Sequence, residues 1–577
     1  MNPFDPILDQ PQSIDYDAID PDATLHLGNQ ELVFTADSRT DLADLTWPWA
    51  GAVYARSIKL TVTDPQHDEL VPMVTRYYPG YQETILGSEG MIISKRLATP
   101  LNSAEDRAVI WLLECQAEGD RLMRLDVEID WGEPLTQRIV DGLLVAQRNP
   151  GAARGLYAQH NAESTRIFGN PHGRPSGLRL HVDGRAQLTY YVLINGHVEV
   201  PLLLTVSDVG EQVAWSGFLA LRDAERAFEL SVAAWDKALK TGRLWTPDPR
   251  LNRAVQAGRL AALRSVQRLR TGFAPSDREV AHVPGLVKAL DGVDPIQSRN
   301  LLAHLRRAAE RGGGMLPSHL PVRPKDEPEP AGPRLAWTNN AYLTALHEHL
   351  LRHPDHNLLA EHYAAVQACA ERLVLVREAA TEQVAGPMLA EASAALRHAV
   401  VLATEHRDTV NMGRWESEAC ELERQADAAA PRGGNPLGAP AAWLERSTWQ
   451  LSEDRPWYFA DPWAGVALAG DAVWQGCGLQ QRRGKLAVYP KRGAGWRWWA
   501  LLDLLLDGGA ISLVWDGATL HTTQPVQSDQ PVQVYATIRA RRTDELDFDL
   551  TFEFTPTEEE GGRAQRRTFH PDFDQPG

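Results

Sequence analysis

Hydrophobic and polar residues alternate with a period of two through most of the first 220 residues. The runs "SIKLTVTD", "RLDVEIDW" and "LTYYVLING" show this alternation, and turn-forming stretches such as "DPQHD" and "VDGRA" separate them. Strands that bury one face and expose the other in an antiparallel sheet give this pattern. We therefore predict an N-terminal antiparallel β-sandwich over residues 24–221, preceded by an acidic tail over 1–23.

The hydrophobic period changes to that of an amphipathic helix near residue 222. "DAERAFELSVAAWDKALKTG" predicts a linker helix within 222–247, and "DPRLNRAVQAGRLAALRS" begins a helical domain with Pro249 suited to a first helical turn. We predict about six helices over 248–430, one of them interrupted near Pro295. Short and long connections alternate between them, which is typical of stacked α-hairpins with functional loops at one rim.

The stretch "AAAPRGGNPLGAPAA" interrupts the helical pattern and predicts a linker over 431–445. Strand patterns such as "ISLVWDG" and "PVQVYATIRARR" then predict a small C-terminal β-domain, a second sandwich, over 446–560. The charged tail, 561–577, is expected to fray. The predicted fold class is multidomain α+β, with the helical hairpins between two β-domains.

Charge narrows the range of partners. The 577 residues carry a net charge of -18, which disfavours nucleic acid and anionic membrane surfaces as partners. The N-terminus lacks a basic, apolar leader and no long apolar run follows, so we expect a cytoplasmic protein without a membrane span.

Metal and cofactor chemistry is not predicted. His349 and His353 have the i,i+4 spacing of a helical metal site, but the HExxH pattern fails, and a solvated helix end is the favoured interpretation. The cysteines are too far apart for a disulfide framework or a structural zinc site; they are Cys115, Cys369, Cys420 and Cys477.

Three stretches and the order of the domains carry a resemblance to a known superfamily. The stretches begin "SDREVAHVPGLVKALDG", "LAWTNNAYLTALHEHLL" and "GKLAVYPKRGAGWRWWALLDLLL". In the order sandwich, linker helix, hairpins, small β-domain, they resemble the six-hairpin glycosidases, the (α/α)6-toroid enzymes that include glucoamylase-like and α-rhamnosidase-like families. The resemblance implies an inverting glycoside hydrolase that acts on an oligosaccharide. A full toroid has twelve helices, so the helical domain here is expected to be shortened.

The triplet Asp277-Arg278-Glu279 is the first candidate for the chemistry. Glycoside hydrolysis requires a protonated carboxyl group for the leaving oxygen and an ionised one for water, about 6.5–9.5 Å apart in inverting enzymes. The resemblance places Asp277 and Glu279 among the catalytic residues and Arg278 among those that bind substrate. The alternative is structural, because Ser276 and Glu279 also have the spacing of a helix-capping box.

Aromatic and amide side chains supply candidate sugar ligands. Trp337 can stack on a sugar ring while Asn339 and Asn340 hold hydroxyl groups, or the same residues can staple and cap a helix. Trp415 and Trp457 are further candidates for sugar binding.

A second carboxylate is sought in two places. Glu416 is the first choice, with Glu418 beside it; Asp454 and Asp461 lie among aromatic residues and are the alternatives.

Two rival functions stay open from the sequence. A shortened helical domain is also compatible with a non-catalytic relative that only binds sugar or serves as a scaffold. If the helical resemblance is coincidental, the β-domains would serve as interfaces of an assembly protein.

Overall fold

The structure is a computed structural model that describes residues 12–15, 25–64, 68–101, 107–148, 164–323, 335–375, 385–429, 461–482, 485–507, 509–542, 550–556 and 567–571. Its architecture is multidomain α+β, as predicted. The chain divides into two units, one up to Lys237 and one from Ala238 onward. Within the described ranges, no helix is long and apolar enough to cross a membrane.

The N-terminal unit is built on a 15-stranded antiparallel sheet. Strands β1 to β15 are Gln12–Asp15, Leu25–Gly28, Val33–Ala36, Leu42–Trp47, Ala52–Asp64, Asp68–Glu69, Val71–Tyr77, Tyr81–Ser88, Met91–Ala98, Ala108–Asp130, Thr136–Val140, Leu143–Gln147, Thr165–Gly169, Gly177–Leu180 and Arg185–Ser207. Strands β10 and β15 pair along most of their length, with a bulge between Gln116 and Asp120. The first part of β10 pairs with β9 and the last part with β5.

The period-two pattern is obeyed along β10. Met123, Leu125, Val127 and Ile129 are buried, whereas Arg124 and Glu128, which alternate with them, are exposed. Two helices follow the sheet: α1, Glu211–Ala220, and α2, Ala224–Lys240. Helix α2 lies within the range 222–247, for which the sequence predicted a helix. Helix α1 was not predicted, because its ten residues follow a strand directly and are too short to show a clear helical period.

The hairpin domain begins the second unit. Its helices are α3, Pro249–Arg264; α4, Val283–Leu290; α5, Pro295–Arg311; α6, Leu335–Arg352; α7, His356–Val374; α8, Ala385–His406; α9, Thr409–Ala429; and α10, Pro462–Asp471. The break near Pro295 is confirmed. Proline excludes the preceding Asp294 from helical dihedrals, and Asp294 has φ -147° and ψ 78°.

The connections alternate in length as the sequence predicted. Residues 291–294, 353–355 and 407–408 are short turns, whereas 265–282, 312–334, 375–384 and 430–461 are long. Successive helices of a hairpin run in opposite directions, so the long connections share one end of the domain. Helices α10, α4, α6 and α8 contact one another in that order and begin at this end, which we call the rim.

Helix α10 falls inside 446–560, the range for which the sequence predicted the C-terminal β-domain. Its sequence, "PWAGVALAGD", is a short and almost continuous apolar run, which does not distinguish a helix from a buried strand. The helix packs on α3 through a close backbone approach: a Cβ at Gly258 would lie 2.2 Å from the carbonyl oxygen of Gly465. Glycine is therefore required at 258. The described hairpin domain has eight helices, two more than predicted.

The remaining strands of this unit form three sheets. Strands β16 to β27 are Arg243–Trp245, Val266–Leu269, Gly272–Pro275, Leu479–Arg482, Lys485–Val488, Trp499–Leu506, Gly509–Trp515, Leu520–Thr522, Gln527–Ser528, Val532–Arg542, Leu550–Pro556 and Arg567–Phe569. Strands β16, β21, β22, β23, β25, β26 and β27 form a seven-stranded sheet, β17 and β18 a hairpin, and β19, β20 and β24 a small third sheet. One apolar core joins side chains of α3 and α10, such as Leu251 and Leu468, to those of the large sheet, such as Trp499.

Two predicted tails have described parts. Strand β1 pairs with β7, within the stretch predicted as an acidic tail. Strand β27 pairs with β26, within the stretch expected to fray, because Arg567–Phe569 completes the edge of the large sheet. The predicted linker over 431–445 lies outside the described residues.

Candidate active site at the rim of the hairpin domain

The Asp277-Arg278-Glu279 triplet lies in the long connection between α3 and α4, between strand β18 and a 3-10 turn over Val280–His282. The turn is held to the next long connection by backbone hydrogen bonds. The amide of Val280 donates to the carbonyl of Ser318 at 3.0 Å, and the amide of Leu320 donates to the carbonyl of Arg278 at 2.9 Å. Two rim loops therefore form one fixed surface.

The capping interpretation of the triplet is wrong for α4. That helix begins after His282, which makes no side-chain cap, and Glu279, the residue before the 3-10 turn, makes none either. The reason is the backbone at Arg278, where φ is 65°, a left-handed conformation that interrupts any regular first turn. The Arg278 guanidinium lies 3.4 Å from the carbonyl of Leu320. A non-glycine residue in this conformation occurs often at functional sites.

The Asp277 carboxylate has a fixed orientation. Its Oδ1 accepts the backbone amide of Glu279 at 2.9 Å, and its Oδ2 accepts from Nδ1 of His282 at 2.7 Å. The His282 ring stacks on Trp463 with centroids 4.1 Å apart and planes 19° apart. A carboxylate oxygen of Asp277, a carboxylate oxygen of Glu279 and a ring nitrogen of His282 all lie within 4.8 Å of one another. The turn thus gathers two carboxyl groups, an imidazole and an indole.

Helix α10 brings the Trp463 ring to this cluster. Asp461 caps the helix, because its Oδ1 accepts the backbone amide of Trp463 at 3.0 Å, and Pro462 occupies the first turn. Asp461 is also close enough to His282 to raise the pKa of that imidazole. The start of α10 and the turn before α4 thus contribute jointly to the same cluster.

The surroundings shift the pKa values of Asp277 and His282 in opposite directions. Burial acts to raise the pKa of Asp277, but the hydrogen bonds from His282 and the Glu279 amide outweigh it and lower that pKa below its usual value. Burial acts in the opposite sense on His282, and the carboxylate of Asp277 outweighs it and raises the imidazole pKa. Each partner therefore favours the charged form of the other, an ionised carboxylate facing a protonated imidazole.

The predicted sugar ligands at the start of α6 have different environments. Trp337 is half-buried in the first turn of the helix. Asn340 is half-buried and donates to Glu391 of α8 at 2.5 Å. Asn339 is fully buried, and its amide is engaged by the backbone of Gly314, Leu316 and Cys369. Asn339 therefore joins the loop after α5, which contains Gly314 and Leu316, to α6 and α7. None of its amide atoms is exposed for a sugar.

The predicted residues of α9 lie on another hairpin. Trp415 is fully buried, with Nε1 3.3 Å from Glu371 of α7, and Glu416 beside it is exposed. Helix α9 packs on α8 and α7, whereas the 3-10 turn after Glu279 packs on α4, α6 and β18. The structure thus does not bring Glu416 to the Asp277 cluster. Trp457 and Asp454 lie outside the described residues.

Comparison with solved structures identifies the architecture. A protein described as a kojibiose phosphorylase from the human microbiome superposes with a TM-score of 0.60 at 8% identity, over 89% of this chain and 94% of that chain. A GH78-family rhamnosidase of Bacillus sp. GL1 gives 0.40 at 10% identity, over 76% of this chain and 54% of that chain. A GH92-family α-mannosidase of Bacteroides thetaiotaomicron gives 0.38 at 12% identity, over 70% and 61%. No protein-family model and no curated protein matches the sequence.

The chain has a six-hairpin fold, which it shares with the structure described as a kojibiose phosphorylase. At this level of identity the similarity concerns the fold. The resemblance drawn from the three sequence stretches is confirmed to that extent. In the described residues, the six-hairpin fold is represented by eight helices of the hairpin domain, with α4, α6, α8 and α10 beginning at the rim.

The far end of these helices holds a buried network that the sequence did not predict. His349 and His353 were expected at a solvated helix end, but they are 0% and 7% exposed. His349 Nδ1 lies 2.8 Å from Oδ1 of Asp291, and Arg352 donates to Oδ2 of the same carboxylate at 3.0 Å. The correction follows from tertiary contact, because Asp291 comes from the end of α4. Burial disfavours its charge, but His349 and Arg352 lower the pKa of Asp291 to about 2.

Sequence reasoning missed two members of the rim cluster, His282 and Trp463. His282 lies five residues after Asp277, at no recognisable catalytic spacing, and Trp463 lies 186 positions further along the chain than Asp277. The one available signal was the "DPW" stretch, in which an aspartate, a proline and an aromatic residue begin a helix. Asp461, an alternative second carboxylate in the sequence analysis, belongs to that stretch.

Proposed function

We propose that this chain is a carbohydrate-active enzyme that cleaves a glycosidic bond at the rim of its hairpin domain. The observation that supports the proposal most strongly is the cluster of Asp277, Glu279, His282 and Trp463 at the rim of a six-hairpin fold, where α4 and α10 begin. Paired carboxyl groups beside an aromatic ring suit a sugar substrate, because the carboxyl groups exchange protons and accept hydroxyl hydrogens while the ring covers an apolar sugar face.

The two carboxyl groups of the triplet have different roles in this proposal. Asp277 accepts two hydrogen bonds and has a lowered pKa, so it stays ionised at neutral pH and does not supply a proton. Glu279 is the proton donor to the leaving oxygen. An ionised carboxylate then activates water on the opposite face of the sugar, which gives inversion. Asp461 fits that role better than Glu416, because it lies near His282.

The charge of the described cluster favours water over phosphate as the acceptor of the glycosyl group. Three carboxyl groups, those of Asp277, Glu279 and Asp461, share the cluster with the guanidinium of Arg278 and the imidazole of His282, whose pKa is raised. A phosphate dianion would enter against a local excess of carboxylates, whereas water carries no such cost. We therefore propose hydrolysis of a neutral oligosaccharide, although the similar solved structure with a TM-score of 0.60 is described as a phosphorylase.

The test measures bond cleavage in the full-length protein. Aryl-glycosides and disaccharides, kojibiose among them, are incubated with and without inorganic phosphate, and free sugar and sugar phosphate are quantified. Hydrolysis is expected, with a decrease in kcat of about 100-fold or more in Glu279→Gln, as for loss of a general acid. Glu423→Gln is the matched control, because it removes a carboxylate that pairs with Arg397 on the exposed surface of α9.

Three outcomes would contradict parts of this proposal. Sugar phosphate as the main product would replace hydrolysis with phosphorolysis. Equal activity in Glu279→Gln and Glu423→Gln would remove Glu279 from the mechanism. Binding of sugar without cleavage of any substrate would favour the non-catalytic relative.

A further inference from the structure

Two contacts of His282 and its position in the chain together orient one carboxylate, that of Asp277. Its Nδ1 lies 2.7 Å from Oδ2 of Asp277, its ring stacks on Trp463 at 4.1 Å, and it ends the 3-10 turn that follows Glu279. The His282 side chain is 30% exposed and that of Asp277 is 36% exposed. The pair is therefore open to a ligand, while the imidazole plane is set by the indole.

The backbone around the pair is fixed independently of either side chain. The carbonyl of Arg278 accepts the amide of Leu320, the amide of Val280 donates to Ser318, and the amide of Arg278 donates to the carbonyl of Pro275 at 2.8 Å. The other carboxylate oxygen of Asp277 is held by the Glu279 amide. The rest of the carboxylate is oriented by side chains, by His282 at 2.7 Å and by Trp463, which also hydrogen-bonds Asp277.

The charged groups around His282 form a short list among the described residues. Asp277, Arg278 and Glu279 lie on its own turn, His319 forms a β-bridge with Glu279, and Asp461 begins α10. Helices α4 and α10 have one charged residue each, Lys288 and Asp471, and these two pair with each other. The first two turns of α6 are uncharged. The ionic partner of His282 in this setting is Asp277.

We propose that His282 is a positioning residue that holds the Asp277 carboxylate in one orientation, in which it accepts a hydrogen bond from a sugar hydroxyl. The ring stays in place because Trp463 supports its face, and its N–H donates along one direction only. This inference rests on the proposed function. It adds a division of labour: Asp277 and His282 act as one unit, and Glu279 donates the proton.

Two variants separate the charge of His282 from its shape. His282→Asn places an amide donor near the position of Nδ1 without the positive charge, and His282→Phe keeps a ring on Trp463 without a donor. His356→Asn is the matched control, because His356 is exposed at the first residue of α7, at the end of the hairpins opposite the rim.

The measurement is kcat/KM of the full-length protein between pH 4 and pH 8. At neutral pH we expect His282→Phe to lose about tenfold or more, and His282→Asn to lose less, since one oriented donor remains. Without the imidazolium the pKa of Asp277 rises towards its ordinary value or above. The acid limb of the profile should therefore move to higher pH in both variants, by about one unit. The control variant should follow the wild-type profile.

A second measurement does not depend on turnover. In protein labelled with nitrogen-15 at histidine, the signal that disappears in His282→Asn identifies this ring, and its titration should lie above pH 6.5. In Asp277→Asn the same signal should titrate at lower pH. An ordinary titration of His282, unchanged in Asp277→Asn, would overturn the inference whether or not the protein is active.

The two proposals fail in different ways. If the wild-type protein cleaves glycosides but both His282 variants lose activity equally at every pH, with no movement of the acid limb, His282 is merely structural and the function stands. If the wild-type protein cleaves no glycoside, the proposed function fails, and with it the role of His282 in that reaction.

Discussion

Replacing Asp291 with asparagine tests the network that joins α4 and α6 at the end opposite the rim. Asp291 is fully buried at the end of α4 and contacts His349 and Arg352 of α6. The Arg352 guanidinium also lies over the Trp474 ring at 4.6 Å, and its second terminal nitrogen, Nη2, pairs with Glu348. The substitution keeps the size of the side chain and removes its charge.

The magnitude follows from the pKa of Asp291. A decrease from 3.8 to about 2 means that the surroundings favour the ionised form by about 2.5 kcal/mol, at about 1.4 kcal/mol per unit. Breaking a buried ion pair by removing one partner costs about 3–5 kcal/mol, because the other charge stays buried. Arg352 retains Glu348 and the indole face, so we expect Asp291→Asn to lower the free energy of unfolding by about 3 kcal/mol.

The effect should depend on pH with a definite sign. The pKa of Asp291 is lowered in the folded state, so its stabilising contribution is present above pH 3.8 and is lost as the pH falls towards about 2. The difference in stability between wild type and variant should be constant from pH 5 to pH 7 and should decrease below pH 4.

Urea unfolding followed by tryptophan fluorescence measures this difference. Trp474 lies against Arg352 and is one of the 18 tryptophans whose combined emission follows unfolding of the chain. Asp427→Asn on α9 is the control, because this carboxylate is exposed. A loss for Asp291→Asn that matches the control, or one that does not change between pH 7 and pH 3, would refute the reasoning.

Two further predictions concern the predicted site residues. Asp461→Ser keeps an N-cap for the Trp463 amide and removes the carboxylate, so we expect an unchanged melting temperature and a decrease in kcat of about 100-fold. Glu416→Gln should keep full activity. A large loss of activity in Glu416→Gln and none in Asp461→Ser would make Glu416 the second carboxylate. Asn339→Ala should lower the free energy of unfolding by about 2–3 kcal/mol in thermal or urea unfolding, because the buried backbone groups around it lose their partners. Asn340→Ala should cost less because Asn340 is only half-buried, and equal losses would contradict this account.

Part of the rim site followed from sequence and part did not. The Asp277-Arg278-Glu279 triplet could be selected because carboxyl groups beside an arginine before a helix are visible in the sequence, and the structure places them on the rim. Glu416 and Trp415 were selected by the same local reasoning. Glu416 is exposed and Trp415 is buried because of the way α9 packs against α8 and α7, which no local sequence pattern specifies.

The sequence by itself determined the elements and their order. Period-two and helical patterns give the N-terminal sheet, the linker helix, the alternation of short and long connections and the strands of the C-terminal sheets, because each pattern records which face of an element is buried. Short apolar runs were the exception, and α1 and α10 were missed for that reason.

Only the tertiary structure decided which distant residues meet. His282 belongs to the candidate site because its ring stacks on Trp463, and His349 is buried with Asp291 as its ionic partner. Both contacts join residues that are far apart in the chain. The pKa of each group follows from those contacts, since burial and a charged partner act over a few ångströms in space rather than along the sequence. The left-handed backbone at Arg278, which sets Asp277 and Glu279 beside His282, is likewise stabilised by hydrogen bonds to the loop over 318–320.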